Sequence, residues 1–482
     1  VENRAFSDTE MSAFEPGTPA RSKRTVLVVS LIVLAVLFTV LWLLWPRFER
    51  EAPQVRLSPD TDVLGVAPLE IVVSDKGAGL KSVTATLSSG GTDHPLAAEQ
   101  LAQAAAEHKI AVEAARLKGL KEGPAVLKVT ARDRSWWKWF GGNETVFQKN
   151  LAIDVTPPSL DLVADDRYVS FGGAGVIVYR PSGDTVTSGI KIGKYYFPGY
   201  PGQIKGNPDH HLVIFAHPYD TPSDARAVLV ATDKAGNTRE MRLVYELRGV
   251  NYRKSTLKVT DAFIEAKVRP LVTDVSARQA SPKDVFIRVN DGLRKENDAR
   301  IAQITSRGTP RMLWQGAFSQ LSNSKVEANF ADARSYDYNG EIISNAYHLG
   351  FDLSVTRQYP VEAANSGTVA FTGDLGIYGN TVILDHGLGL FTLYSHLSSI
   401  GAKEGDSVKA RDILGKTGET GLAAGDHLHY GVYLNGVPVL PIEWWDPKWI
   451  NDNIAPKLEG HSGEEIHKAQ APPRKAARKK RR

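Results

Sequence analysis

Five of the twelve histidines in this 482-residue chain fall between residues 348 and 429. His348 is followed four residues later by Asp352, His396 stands two residues after Tyr394, and a single residue separates His427 from His429. Alternate side chains of a strand point to the same face, so His427 and His429 share one if their backbone is extended. Two imidazoles on one face, with a further histidine and a carboxylate, are more than enough to supply the three protein donors that a catalytic zinc needs beside its one open position. A lone histidine in a strand is more often a satisfied core or surface residue than a ligand. His-x-His together with a separate His-x-x-x-Asp is a metal spacing rather than a packing pattern. The chain contains no cysteine, which leaves nitrogen and oxygen donors and excludes a cysteine-based structural zinc. Spacing alone leaves open which of His348, His396, His427 and His429 hold the metal.

The order His348-x-Gly350-x-Asp352, Gly379-Asn380, Asp385-His386-Gly387, Tyr394-x-His396-Leu397, Gly415-x-x-Gly418-x-Thr420-Gly421 and His427-Leu428-His429 resembles the lysostaphin/LytM-type zinc endopeptidases, which cut peptide bonds in peptidoglycan. The resemblance spans roughly residues 340–448, under a quarter of the chain. It implies that His348, Asp352 and His429 hold Zn2+, while His396 and His427 form the catalytic pair that orients and deprotonates water and stabilises the oxyanion. Asn380 and Tyr394 within the motifs, and Tyr336 ahead of them, are candidate substrate contacts. The expected reaction is hydrolysis of peptide cross-links in bacterial peptidoglycan, with stem peptides as the substrate. The alternative is a catalytically inactive relative that binds and activates another cell-wall hydrolase. Such proteins typically lack metal ligands, whereas all five positions are filled here. No His-Glu-x-x-His segment is present, which argues against thermolysin-like chemistry.

The elements that must carry this centre to its substrate begin near the N-terminus. Residues 25–45 form a run without a charge, dominated by Val, Leu, Ile and Phe. At about 1.5 Å per helical residue, such a run spans the ~30 Å hydrocarbon core of a membrane. No small-x-small cleavage pattern follows, so an uncleaved transmembrane helix is expected. Arg21, Lys23 and Arg24 precede it, and Arg47 and Arg50 follow with Glu49 between them. The bias favours a cytoplasmic tail over residues 1–24 and a single pass through the cytoplasmic (inner) membrane, with the catalytic domain in the extracytoplasmic space.

Between anchor and histidines, residues 52–155 and 156–249 alternate short β-rich runs with turn signals, the pattern of antiparallel sandwiches. An internal repeat links them: Val126 to Asp133 followed by Gly142-Asn143 is echoed by Val228 to Asp233 followed by Gly236-Asn237. The second copy resembles the terminal hairpin of bacterial immunoglobulin-like domains, which implies two Ig-like modules serving as spacers or binding a protein partner. Residues 96–117 are Ala-rich, and periodicity does not decide between helix and strand there. Trp136, Trp137, Trp139 and Phe140 around Lys138 read as a core or interface plug ahead of an exposed stacking platform. His210, His211 and His217 have no carboxylate at metal spacing.

Residues 250–339 are more charged, with helical periodicity over 260–272 and 291–304, and form a mixed α/β linker before the catalytic domain at 340–450. In some relatives such a preceding segment occludes the zinc. Residues 451–482 are expected to be a disordered basic tail. Lys468 and the residues after it include eight basic side chains and no acid, so the rest of the chain is net acidic despite an overall charge of +4. This excludes a nucleic-acid-binding body. The fold class is thus mainly β: one transmembrane helix, two Ig-like sandwiches, a mixed linker and a β-rich LytM-type peptidase domain.

Overall fold

The computed structural model describes residues 23–114, 117 and 119–470. The tail expected before residue 25 lies almost wholly outside them, as does the basic stretch beyond residue 471. The chain divides into two compact units, Val1–Val155 and Thr156–Arg482.

The first unit opens with an α-helix, Lys23–Leu44, whose 22 residues make it about 33 Å long. Its apolar side chains are exposed on every side, Leu34 at 61% and Phe38 at 72%. A helix apolar all round needs an apolar surrounding, and its length and composition fit a single-pass anchor or a signal segment. A three-stranded sheet (Gln54–Ser58, Leu69–Ser74, Glu107–Val112) and a five-stranded sheet (Val63–Leu64, Leu80–Ser89, Thr92–Ala105, Gly123–Asp133, Glu144–Ile153) then share one core. Alternation sets that core: Ala125, Leu127, Val129 and Ala131 turn inward from Gly123–Asp133, while the residues between them face out. The Ala-rich stretch is strand, Thr92–Ala105 and Glu107–Val112, because Leu80–Ser89 and Leu69–Ser74 offer it open edges to pair with.

The second unit begins with two four-stranded antiparallel sheets. Ala174–Pro181 and His211–Ala216 lie at the centre of one, Thr185–Ile192 and Ala227–Asp233 at the centre of the other, with Val176, Val178, Ile190, Phe197 and Phe215 between them. Residues 254–304 follow as a short strand, Lys254–Lys258, and a series of short helices ending in Arg294–Ile304, so both expected helical stretches form. Thr260 and Ser281 cap two of these helices by accepting from the amides of Phe263 and Asp284.

The C-terminal sheet is eight-stranded and antiparallel, with Phe351–Ser354, Leu428–Leu434 and Leu390–Ser395 adjacent near its middle. Every residue of Leu428–Leu434 is buried, because both faces of the sheet are covered. Leu428, Tyr430, Val432 and Leu434 turn to the core shared with the preceding sandwich. Tyr433 turns the other way, to a layer containing Val268, Val285, Phe286 and Ile301 of the helical region. His429, an odd-numbered neighbour on the same strand, shares that second face.

The chain is mainly β with one apolar N-terminal helix. The expected disordered tail over 451–482 needs correction, since residues up to 470 fold as helices Pro447–Asn453, Ala455–Leu458 and Gly463–Gln470. Ile454 and Ile466 enter the core and Lys457 is fully buried, its Nζ donating to the Asp166 carboxylate. The partner that makes this lysine tolerable inside lies 291 residues upstream, so local composition could not reveal it.

Candidate metal centre

Strand register brings the centre together. Asp352 on Phe351–Ser354 is paired with His429 on Leu428–Leu434, and His429 is paired in turn with Ser395 at the end of Leu390–Ser395. His348 lies in the turn leading into Phe351–Ser354 and reaches back to the same point. Its Nε2 is 2.8 Å from Asp352 Oδ1 and 2.9 Å from His429 Nδ1, and the latter two atoms are 3.0 Å apart. Gly350 makes this approach possible: a Cβ there would stand 2.8 Å from the His429 ring and 2.5 Å from the Tyr430 carbonyl.

Hydrogen-bonding chemistry shows what these three atoms lack. His348 donates from Nδ1 to the Asn329 carbonyl at 2.9 Å, so its Nε2 presents a lone pair to the carboxylate oxygen. One proton on His429 Nδ1 can satisfy only part of that cluster, and His429 Nε2 is buried without a partner. A cation at the meeting point relieves the facing lone pairs, and ligands of a tetrahedral zinc at about 2.0–2.1 Å stand about 3.3 Å apart. The residues present therefore fit a zinc ion. Burial opposes ionisation of Asp352, but the His348, His427 and His429 imidazoles around it outweigh burial and hold its carboxyl well below the usual range. Burial lowers the His429 imidazole to about 4, in the neutral form that a metal requires. Arg334 donates to the other carboxylate oxygen, Oδ2, at 3.2 Å and so orients the ligand.

His396 and His427 sit side by side next to this cluster, ring centroids 4.8 Å apart. His396 follows its strand in the left-handed region, φ 63°, which turns its side chain off the alternation of Leu390–Ser395 and toward the centre. Its Nδ1 donates to the Thr420 carbonyl at 2.8 Å, and that of His427 donates to the Gly425 carbonyl at 2.8 Å. Both rings therefore present Nε2 to the cavity. Burial, followed by the neighbouring His427 and His429, pushes His396 well below the usual imidazole range. Burial acts the same way on His427 but is outweighed by Asp352, 3.5 Å away, which raises it.

The cavity over these residues is about 200 Å³. Arg334, Tyr336, Phe286 and Leu257 of the region before the sheet line it together with the histidines, as do Tyr378 and Leu422. Tyr378, which the sequence did not single out, packs 5.4 Å from the His429 ring and donates to Asp298 of Arg294–Ile304. Nothing in the motif spacing points to Asp298 or Phe286, because they arrive from separate helices.

The three expected substrate contacts separate. Tyr336 is in the cavity wall, packed on Phe286. Asn380 does not line the cavity; its side-chain amide donates to the carbonyl of Leu397, the residue after His396. Tyr394 is not a cavity residue: it is 1% exposed on the opposite face of the sheet, where its hydroxyl accepts from the amide of Ala364. Strand alternation puts it there, two residues along from Thr392 and away from His429. His217 is a core residue, hydrogen-bonded to Tyr245 and the Pro222 carbonyl.

Residues 346–441 match the sequence pattern of Peptidase family M23. The C-terminal region is an M23 peptidase domain. Over 95 residues it is 41% identical to the DD-carboxypeptidase/endopeptidase Mpg of Neisseria meningitidis serogroup B, covering 20% of this chain and 22% of that protein. Over 118 residues it is 33% identical to the peptidoglycan DD-endopeptidase ShyA of Vibrio cholerae, covering 24% of this chain and 27% of that protein. The chain thus spans about a quarter of the length of these curated relatives. The catalytic domain of the antimicrobial peptidase lysostaphin from Staphylococcus simulans aligns with a TM-score of 0.23 at 28% identity, covering 27% of this chain and 98% of that one. All five residues expected to hold metal or move protons lie within the matched M23 segment.

Proposed function

We propose that this protein is a membrane-anchored zinc metalloendopeptidase that hydrolyses peptide cross-links of bacterial peptidoglycan. The observation that carries the reading is the meeting of His348 Nε2, Asp352 Oδ1 and His429 Nδ1 within 3.0 Å of one another, beside His396 and His427. These three residues would hold the zinc, which when bound supplies Lewis acidity toward the scissile carbonyl and a nucleophilic water at neutral pH.

The chain's own residues do the rest. His396, kept neutral by burial and fixed through Nδ1 by Thr420, offers its Nε2 lone pair to take a proton. His427, biased toward the charged form by Asp352, is the partner that donates to the oxygen on which negative charge develops. Tyr336, Tyr378 and Leu422 shape a narrow cleft suited to a slender stem peptide. The helix Lys23–Leu44 holds the protein in the cytoplasmic membrane with its N-terminus inside, and the two sandwiches, read as Ig-like modules, space the M23 domain from it or meet a protein partner. Resemblance of the M23 domain to DD-endopeptidases over these residues supports the substrate class.

Digestion of purified peptidoglycan by wild type and by a His429→Ala variant tests the proposal. Release of cross-link cleavage products by wild type alone supports it. Equal release from both, or none from either at any zinc concentration, would instead favour a non-catalytic activator of another hydrolase.

A further inference from the structure

The first unit carries an aromatic loop that neither the sandwich core nor the metal centre uses. Trp139 is 96% exposed and Phe140 65%, beside Phe48 at 48%. Together with Trp136 and Trp137 they surround an aromatic cavity of about 600 Å³. Lys138, Trp139 and Phe140 have φ of 51°, 53° and 65°, three successive non-glycine residues in the left-handed region. That conformation costs stability, and it points two large apolar side chains into solvent instead of back onto the sandwich. The expected core plug is therefore turned outward.

The loop is tied to the end of the apolar helix. The Trp136 amide donates to the Arg47 carbonyl, three residues beyond Leu44, at 2.6 Å. Ser135 Oγ lies 2.7 Å from the Glu49 carbonyl as its donor, and the Asn143 side-chain amide donates to the carbonyls of Glu49 and Glu51. The Phe48 and Trp136 rings meet edge to face at 5.3 Å, Arg47 lies over Trp136, and Arg50 lies 4.2 Å over Trp137. Whatever depth the end of the helix takes, the loop shares it.

We infer that residues 136–140 form a second membrane contact, in which Trp139 and Phe140 enter the boundary between phospholipid headgroups and acyl chains while Arg47, Arg50 and Lys138 meet the phosphates. Tryptophan favours that boundary because its ring is apolar and its N–H is polar, and long basic side chains reach outward from it to the headgroups. Covering the exposed aromatics with lipid offsets the backbone strain. The sandwich then stands on the membrane at a set height rather than swinging from a flexible tether. This inference rests on the proposed transmembrane reading of Lys23–Leu44.

The absence of cysteine permits single-cysteine spin labelling of the full chain. Labels are placed by Leu34→Cys, Trp139→Cys, Phe140→Cys and Thr92→Cys, and the chain is reconstituted in phosphatidylethanolamine/phosphatidylglycerol vesicles. Thr92 is exposed at the far end of the sandwich: Leu80 pairs with Asp133 and Ser89 with Thr92, placing it about 30 Å away at about 3.3 Å per residue. The expected result is a label at 34 reached by oxygen and not by a water-soluble nickel chelate, and labels at 139 and 140 at shallow depth with nickel access several-fold below that at 92. If 34 is deep but 139 and 140 are as open to nickel as 92, the membrane contact is wrong and the spanning helix stands. Labels at 139 and 140 shielded from oxygen and nickel alike mean burial against protein, which also overturns the inference. A label at 34 open to nickel removes the spanning helix and the inference with it.

Discussion

Asp352 and His429 face each other across two antiparallel strands, and their side chains approach to 3.0 Å on the face of the sheet turned away from the core shared with the sandwich. A carboxylate and an imidazole held this way by backbone register need little reorganisation to grip a cation. The neighbouring pair, His396 and His427, is held instead through backbone carbonyls, which leaves its Nε2 atoms available for proton transfer.

The two roles predict two different phenotypes. Asp352→Asn removes a ligand from a three-residue set, so zinc measured by atomic absorption after dialysis falls from about one per chain to background. His396→Ala keeps the zinc, and hydrolysis of cross-linked muropeptides falls by roughly 10²–10⁴-fold, the usual contribution of a positioned general base. Zinc loss from His396→Ala would exchange the roles.

Arg334 binds the carboxylate oxygen that faces away from the other ligands. Arg334→Ala lets Asp352 rotate, and zinc affinity, read by competition with a chelator, drops by roughly 10–100-fold, as for other residues that orient a ligand. An unchanged affinity would show that register alone orients Asp352.

Lys457 and Asp166 form a buried ion pair between the C-terminal helices and the sandwich of the second unit. Lys457→Met leaves the Asp166 charge without its counter-ion and costs about 3–5 kcal/mol of stability in denaturant titration. Adding Asp166→Asn recovers most of that loss, because the buried charge disappears while the side-chain oxygen still accepts from the Val176 amide.

Burial raises the Glu443 carboxyl from 4.5 to about 7, against the hydrogen bond it accepts from the Ala174 amide. The folded state therefore keeps a proton that the unfolded chain releases above pH 4.5. Its stabilising contribution is complete below that pH and is lost as pH rises through about 7, a change of about 3 kcal/mol. Glu443→Gln keeps an acceptor for Ala174 and cannot ionise, so its melting temperature falls less than that of wild type between pH 5 and pH 8.

Much of the centre was legible because its ligands follow local spacing. His427 and His429 must share a face of any strand, and the length and purity of residues 25–45 identify an apolar helix without reference to the rest of the chain. Tyr394 shows where such reading stops. It sits inside a motif, yet the same alternation that aligns the histidines sends it into the opposite core. Thr92–Ala105 became strand because neighbouring edges were open to it, a preference its alanines do not encode.

By itself the sequence determined the donor atoms available for a metal, the absence of thiols, the apolar helix and the alternating strands, since each depends on residues close together in the chain. Only the tertiary structure decided that Arg334 would orient Asp352, that Phe286 and Tyr336 would wall the cavity, and that Lys457 would be buried against a carboxylate 291 residues away. Those outcomes depend on which faces of distant elements are left to cover one another, and burial of that kind is a property of the packed chain rather than of any one segment.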